Sequence, residues 1–194
     1  GAEVIKIEAL AGDTTRALPY RFEGTQSGYF KQQNLGKLSL AVNLATPEGH
    51  AIAMELARIS DVVVENFRPG VVQQLKVSFD DLKAVRPDVV YVSISGWGQT
   101  GPYALMTGEV RSTTALSGLM APDTSGHAPT WERCSFGDTN ASIHGAAAVG
   151  AGLVRARKTG RGVHVDFSIL EGLMTTNVRE LFAAFVSAMN QCPF

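Results

Sequence analysis

Hydrophobic and polar positions change their spacing along the chain in the way expected of successive strands and helices. The residues of Val4–Ile7 alternate, and those of Lys37–Leu44 alternate again, so both stretches are predicted to be strands. The dipeptide Thr46-Pro47 is a typical start of a helix, which is predicted to run to about Ser60. The stretch Ala11–Tyr29 has no clear period and is predicted to be a loop.

Two continuous apolar runs come next, at Asp61–Glu65 and Val89–Ser95, and such runs are typical of parallel strands that are covered on both faces. Between them, Val71–Leu75 can form a helical turn, and Ser78 with Asp81 forms a capping pattern ahead of another helix. The repeated order of strand and helix predicts an α/β fold, a Rossmann-like parallel sheet with flanking helices. In such sheets, ligands bind beyond the carboxyl ends of the strands.

The second half of the chain is predicted to hold a short helix over Gly108–Met120, a surface loop over Ala121–Trp131 and a strand over Val163–Ser168. A longer helix is predicted between the loop and the strand, because apolar and small residues recur there at helical spacing: Ile143, Ala147, Gly150 and Val154. From Ile169 onward, the apolar positions keep a helical period toward the end of the chain.

Asp138 lies just before the longer predicted helix and has two interpretations that do not exclude each other. As an N-cap, its carboxylate would accept backbone N–H bonds at the positive end of the helix dipole. As a nucleophile, the same carboxylate could attack an activated carbonyl and form an acyl anhydride. The preceding Gly137 has no Cβ, so a bulky acyl group could approach the backbone there.

Composition narrows the range of partners. The chain of 194 residues is 45% hydrophobic and 18% charged, which is ordinary for a soluble globular protein with one core. A formal net charge of −1 and the lack of a lysine-rich run indicate no nucleic-acid or membrane partner. No apolar run approaches the roughly 20 residues of a membrane span. The two cysteines, Cys134 and Cys192, fit a reducing compartment, so a cytoplasmic location is expected.

Two cofactor classes are disfavoured by spacing. Residues 96–101 match the pattern G-x-G-x-x-G and follow a predicted strand, an arrangement that is typical of a dinucleotide-binding site. Pro102 follows at once, no helix is predicted to open on the third glycine, and no strand ending in an acid lies about 20 residues further on. Nicotinamide or flavin binding is therefore not expected. The histidines are scattered without zinc-ligand spacing, so no metal site is predicted.

Four stretches resemble the class III CoA-transferases, the CaiB/BaiF-type family that includes formyl-CoA:oxalate CoA-transferase: Glu65-Asn66-Phe67-Arg68-Pro69-Gly70, the loop from Ser93 to Tyr103, Gly137-Asp138-Thr139-Asn140, and Lys158-Thr159-Gly160-Arg161-Gly162. The resemblance implies that Asp138 is the catalytic nucleophile. It also implies that Asn66 and Phe67 line a coenzyme A site, with Arg68 nearby. The alternative for Asn66–Gly70 is a simple turn after a strand.

Further contacts with coenzyme A are implied more weakly. Residues 42–49 resemble the family segment before its second helix, which also contacts CoA, and this places Val42 and Ala45 among the candidates. Gln74 is the remaining candidate. Some relatives carry lysine where this chain has Ala45, and basic residues where it has Ala9 and Gln74. The resemblance therefore says little about contacts with the CoA phosphates.

Family members are about twice this length, and they place a first strand and helix before the segment that resembles Gly1–Glu8. The resemblance therefore implies that residues 1–194 form a partial large domain, with the true N-terminus and the C-terminal part missing. It further implies an intertwined homodimer when the protein is full length.

The activity implied is transfer of CoA from an acyl-CoA to a small carboxylic acid through an aspartyl-acyl anhydride, with acyl-CoA as substrate and no metal. One alternative is an isomerase resembling α-methylacyl-CoA racemase, but that subgroup has Gly-His-Asp where this chain has Gly108-Glu109-Val110. Another alternative is an inactive fragment that only binds CoA.

Overall fold

The computed structural model describes residues 2–18, 26–120 and 136–175. These residues have the predicted α/β architecture, with parallel sheets and flanking helices. The strands are β1 (Ile5–Glu8), β2 (Leu38–Ala41), β3 (Val62–Glu65), β4 (Val90–Ser95) and β5 (Val163–Ser168). The helices are α1 (Gly28–Asn34), α2 (Pro47–Ile59), α3 (Val71–Gln74), α4 (Phe79–Val85), α5 (Val110–Leu116) and α6 (Phe136–Thr159). Residues 169–175 are also helical, whereas the predicted loop 121–131 and both cysteines lie outside the described residues.

The chain divides into two compact units, residues 1–55 and residues 56–194, and the boundary falls within α2. In the first unit, β1 and β2 pair in parallel. α1 starts in the last two residues of the predicted loop Ala11–Tyr29 and extends beyond it to Asn34. It begins where the Ser27 hydroxyl accepts the N–H of Phe30 at 3.0 Å, and Phe30 is its buried residue. A helix that buries a single side chain leaves no apolar period for the sequence to reveal.

A buried carboxylate joins several segments of the first unit. Glu8 accepts two hydrogen bonds from the Arg16 guanidinium, at 2.7 and 3.1 Å. It also accepts bonds from the Ser39 hydroxyl at 2.9 Å and from the backbone N–H of Asp13 at 3.0 Å. The Arg16 bond lowers the pKa of Glu8 against the opposing effect of burial, and Ser39, Lys6 and the Asp13 N–H lower it further. Glu8 therefore links β1, β2 and the segment of Asp13 and Arg16 that follows β1.

In the second unit, β3, β4 and β5 form a parallel sheet in that spatial order. On one face of β4, the fully buried Val90 and Val92 pack with Ala156 of α6. On the other face, the Tyr91 ring lies against Phe79 of α4, with 6.2 Å between the ring centroids. Because successive side chains of a strand point to opposite faces, α6 and α4 cover opposite faces of β4. β4 is therefore the covered, central strand that its apolar sequence predicts.

β3 is less covered than predicted, both at its edge and on one face. It pairs with β4, and it has no second strand neighbour among the residues that the structure describes. Val64 on this strand is 57% exposed. An apolar run shows which environment a strand tolerates, whereas the number of its neighbours is set by the rest of the fold.

The N-cap interpretation of Asp138 is wrong in position. Asp138 lies within α6, which the structure describes from Phe136 onward. Gly137 before it packs closely: an added Cβ would lie 3.1 Å from Ile169 Cγ2 and 3.2 Å from Val110 Cγ1. Aspartate is favoured both at the N-cap and in the first turn of a helix, so this preference alone does not separate the two positions.

The predicted helical stripe of α6 is helical, but it faces solvent. Ile143 and Val154 are both exposed, as are the two small residues between them in the stripe. The opposite side of α6 is buried and consists of small residues. One of them is Gly152, where an added Cβ would lie 2.7 Å from Val90 Cγ1. Small residues let α6 approach β4 closely, so its packing face is not its most apolar face.

Candidate active site

The segment after β3 reaches the end of the neighbouring strand. Asn66 follows β3 directly, and its side-chain Nδ2 donates a hydrogen bond to the carbonyl of Ile94 in β4. The backbone N–H of Phe67 donates to the carboxylate of Glu65 at 2.7 Å, and Glu65 is buried. The Phe67 ring is 40% exposed. The backbone of this segment is therefore held in place while an aromatic surface stays open at the carboxyl ends of the strands.

The other candidate residues of the second unit lie at α3. Arg68 and Gln74 are both exposed; Arg68 precedes this four-residue helix, and Gln74 is its last residue. Gly70 supplies the left-handed backbone, with φ of 92°, that turns the chain into α3. The turn thus presents a guanidinium and an amide on the same short stretch as Asn66 and Phe67.

Val42 and Ala45 belong to the first unit and differ in exposure. Val42 is 7% exposed, and its backbone N–H donates to the carbonyl of Glu8 at 2.9 Å. Ala45 is exposed, and its N–H donates to the side chain of Asn43 at 3.1 Å. Val42 therefore serves the packing of its own unit, whereas Ala45 stands at an open turn after β2.

The loop of residues 96–101, called the glycine-rich loop below, does not continue into a helix. Gly98 and Gly101 have left-handed φ values of 85° and 98°, and the next helix begins at Val110. The chain returns to the start of the loop, because a Cβ added to Gly96 would lie 2.6 Å from the Cα of Gly108. This backbone crossing admits only glycine at both positions. Residues 96–108 therefore form a closed loop at the end of β4.

The N-termini of α5 and α6 meet beside Asp138. Gly137 lies against the side chains of Val110, Ile169 and Leu173, which an added Cβ would approach at 3.2, 3.1 and 3.6 Å. Asp138 is half-buried in the first turn of α6. The free N–H groups and the dipole of a helix N-terminus favour the charged form of a carboxylate there. The fold thus places an acidic side chain next to the end of the closed loop.

His144 is turned away from a role beside Asp138. One of its ring nitrogens, Nδ1, lies 2.9 Å from the carbonyl of Asn140, and its ring stacks on Phe167 with 5.6 Å between the centroids. His144 also follows Asp138 by six residues, a spacing that does not stack side chains on one face of a helix. His144 therefore packs α6 against β5.

A cavity of about 110 Å³ lies on the face of the sheet that α6 does not cover. Inside it, the Ser93 hydroxyl and His164 Nε2 lie 2.9 Å apart. Burial raises the pKa of the Tyr91 phenol well above its usual range, and the charges of Glu65 and Asp81 add to this effect. The cavity was not predicted. Its lining residues are Val72, Gln73, Ser78, Phe79, Asp80, Tyr91, Ser93, Gln99 and His164.

The described residues contain neither a cluster of metal ligands nor a membrane-spanning helix. Within residues 2–18, 26–120 and 136–175, no group of three His, Cys, Asp or Glu side chains is arranged to hold a metal ion. In the same part of the chain, no helix has the length and apolar character needed to cross a membrane.

The chain matches the model of CoA-transferase family III over residues 1–192. It is 38% identical over 174 residues to the succinyl-CoA:glutarate CoA-transferase of Homo sapiens, which covers 88% of this chain and 39% of that protein. It is 35% identical over 177 residues to the formyl-CoA:oxalate CoA-transferase of Streptomyces avermitilis, which covers 90% of this chain and 42% of that protein.

The fold is similar to the crystal structure of a CaiB/BaiF family protein from Brucella suis. The TM-score is 0.87 at 31% identity, over 97% of this chain and 51% of that one. The chain therefore spans about two fifths of the length of the two curated relatives and about half of the solved structure.

Proposed function

The chain belongs to CoA-transferase family III, and from this membership we propose that it serves an enzyme that moves CoA from an acyl-CoA thioester to a free carboxylic acid. Asp138 is the proposed nucleophile. The observation that carries this role is its place in the first turn of α6, directly after Gly137, which packs against Val110 at the start of α5. The positive end of a helix dipole favours the charged form of a carboxylate, which is the form that attacks.

The proposed reaction balances without a proton or a metal. A carboxylate oxygen of Asp138 attacks the thioester carbonyl, and the C–S bond breaks. CoA departs as the thiolate, and the acyl group stays bound to Asp138 as an anhydride. The acceptor carboxylate then attacks the aspartyl carbonyl of the anhydride and displaces the donor acid. Finally, the thiolate attacks the acceptor acyl carbon, which forms the new thioester and frees the Asp138 carboxylate. The anhydride stays as activated as a thioester provided that water is excluded.

CoA is proposed to bind at the carboxyl ends of the strands in the second unit. There the exposed Phe67 ring offers an apolar surface, Asn66 and Gln74 offer amides, and Arg68 offers a positive charge. Val42 and Ala45, which belong to the first unit, are separate candidates for contact with CoA. Of these two, the exposed Ala45 is the better placed to touch a ligand, because Val42 is almost fully buried.

The acceptor is proposed to be a small dicarboxylic acid. The two curated relatives are named for glutarate and for oxalate, which share this chemistry. We also propose that these 194 residues are a partial large domain of a longer cytoplasmic enzyme that acts as an intertwined homodimer. A racemase-like reaction is not proposed, since this chain has Glu109 where that subgroup carries its histidine.

Substitution of Asp138 in the full-length enzyme tests the nucleophile. Asp138→Asn keeps the size of the side chain but removes the attacking charge, so transfer from succinyl-CoA to glutarate or oxalate should be lost while CoA binding stays nearly unchanged. Hydroxylamine added with the donor should convert Asp138 of the unaltered enzyme to a hydroxamate, detected by mass spectrometry of the peptide.

Phe67→Ala is the matched contrast. It should weaken CoA binding by about 1–3 kcal/mol, the scale of a lost aromatic contact, and leave hydroxamate formation possible at saturating donor. Turnover that survives Asp138→Asn within a few-fold would remove Asp138 from the mechanism. CoA binding without turnover of any tested acyl donor would favour a protein that only binds CoA.

A further inference from the structure

The carboxylate of Asp166 holds the middle of the glycine-rich loop. The backbone N–H of Gln99 lies 3.2 Å from one Asp166 oxygen and 3.0 Å from the other. Asp166 is on β5, opposite Ser93 of β4 in the parallel register. The loop that leaves β4 is thus tied back to the neighbouring strand. Hydrogen bonds from a backbone N–H to an ionised carboxylate are stronger than bonds between neutral groups.

The rest of the glycine-rich loop also rests on β5 and on the helical residues after it. A Cβ added to Gly98 would lie 3.6 Å from Ser168 Cβ and 3.8 Å from Asp166 Oδ2, which is ordinary contact distance. The N–H of Leu170 donates to the carbonyl of Gly96 at 3.1 Å. Glycines lose more conformational freedom than other residues when they are ordered. A loop of this composition therefore depends on such fixed contacts to keep one conformation.

The same loop leads physically to the candidate nucleophile. Gly96 crosses Gly108 at backbone contact, and two residues later Val110 begins α5 and packs against Gly137. Asp138 follows Gly137 in the first turn of α6. A displacement of the glycine-rich loop would therefore be transmitted through two glycine contacts to the wall beside Asp138. The first contact is backbone against backbone, and the second is the packing of the Val110 side chain against Gly137.

We propose that Asp166 is a positioning residue for the proposed transfer reaction, an inference that rests on the proposed function of Asp138. Asp166 does not touch the reacting atoms. By holding the N–H of Gln99, it keeps residues 108–110 seated against Gly137, so that the wall beside the nucleophile has one geometry. A reacting group that is misplaced by about 1 Å can cost about a hundredfold in rate, so such a support has a measurable effect.

The test compares Asp166→Ala and Asp166→Asn in the full-length enzyme, with Asp80→Asn as the matched control. Asp80 is an exposed carboxylate on α4 of the same unit. We expect Asp166→Ala to lower kcat for transfer by about tenfold or more. The affinity for CoA and the melting temperature should change little, because the clamp orders a loop at the surface. Asp166→Asn keeps an acceptor oxygen and should recover part of the loss, and Asp80→Asn should resemble the unaltered enzyme.

Amide hydrogen exchange supplies a readout that a purely stabilising role would not move. Asp166→Ala should speed exchange at residues 96–101 and also at residues 106–110, while the core strand β4 keeps its protection. Faster exchange confined to residues 96–101 with unchanged kcat would overturn the proposal. A loss of kcat that matches a loss of folded protein would also overturn it. If the unaltered enzyme transfers no CoA, the proposed function fails, but hydrogen exchange still decides whether Asp166 orders residues 106–110.

Discussion

Glu8 shows how one buried carboxylate organises a segment of backbone. It accepts hydrogen bonds from a guanidinium, a hydroxyl and a backbone N–H that come from three places in the first unit. The charged side chain of Arg16 also lies over the Phe30 ring, 4.0 Å from its centroid. A buried charge in an ion pair is tolerated when further hydrogen bonds satisfy its remaining polar atoms. For Glu8, the Ser39 hydroxyl and the Asp13 N–H supply these bonds.

Asp13, beside this cluster, gives a pH-dependent prediction. Burial raises the pKa of Asp13, but hydrogen bonds from Lys6 and Thr15 outweigh it and lower the pKa from its ordinary 3.8 to about 2. A carboxyl with a lowered folded-state pKa contributes stability that is present above its unfolded pKa and is lost as the pH falls through the folded value. Asp13→Asn should therefore lower the free energy of unfolding at pH 5, and the difference should shrink between about pH 4 and pH 2.

Urea unfolding of the full-length protein at several pH values measures this difference. Asp80→Asn, which alters an exposed carboxylate outside the cluster, is the control. A stability difference between Asp13→Asn and the unaltered protein that stays constant from pH 5 to pH 2 would contradict the prediction.

At the scale of elements, α6 has two faces that its sequence does not distinguish. Its buried face is made of small residues, and its exposed face carries Ile143 and Val154. Gly152 allows the helix to lie directly on Val90 of β4 and Val163 of β5. Close approach of backbone to sheet, and not side-chain hydrophobicity, therefore decides which face of this helix is inside.

Two glycines of α6 make a matched pair for this explanation. Gly152→Ala should destabilise the protein by about 1–3 kcal/mol, because its Cβ would lie 2.7 Å from Val90 Cγ1 in a fully buried strand. Gly150→Ala should stabilise it by about 0.5–1 kcal/mol, because alanine favours a helix and nothing lies within 4 Å of the added Cβ. Thermal unfolding monitored by circular dichroism compares both with the unaltered protein. Equal effects of the two substitutions would show that packing on β4 is not what selects this face.

At the scale of the whole molecule, several large apolar side chains among the described residues are exposed. Leu35 is 89% exposed and Leu105 is 84% exposed, and Val64 lies on a strand that pairs on one side within the described residues. Exposed apolar side chains and an open strand edge both favour association with further chain or with another molecule.

We therefore expect the purified 194-residue chain to self-associate. Sedimentation velocity should show species larger than a monomer of 20.6 kDa, and the longer protein that carries this segment should behave as a defined assembly under the same conditions. A cooperatively melting monomer with transferase activity would contradict the expectation and would make the segment sufficient by itself.

Local signals in the chain were enough to predict most elements. The Thr46-Pro47 start of α2, the capping box of Ser78 and Asp81 before α4, and the apolar run of β4 all appear in the structure where the sequence places them. Caps, turns and periodicity act between residues a few positions apart, so a single sequence contains them. The family motifs around Asn66 and Asp138 were readable for the same reason, since each is a short continuous stretch.

Contacts between distant residues were decided by the tertiary structure alone. Gln99 contacts Asp166 across 67 positions, and Ser93 contacts His164 across 71. The polar residues that alternate in β4 and β5 indicate a polar sheet face, but they do not indicate these pairs. The close packing of Gly137 against Ile169 and Val110 is likewise a contact between residues that are far apart in sequence. Pattern and propensity describe each element separately, whereas register, close glycine contacts and the choice of buried face exist only once the elements pack.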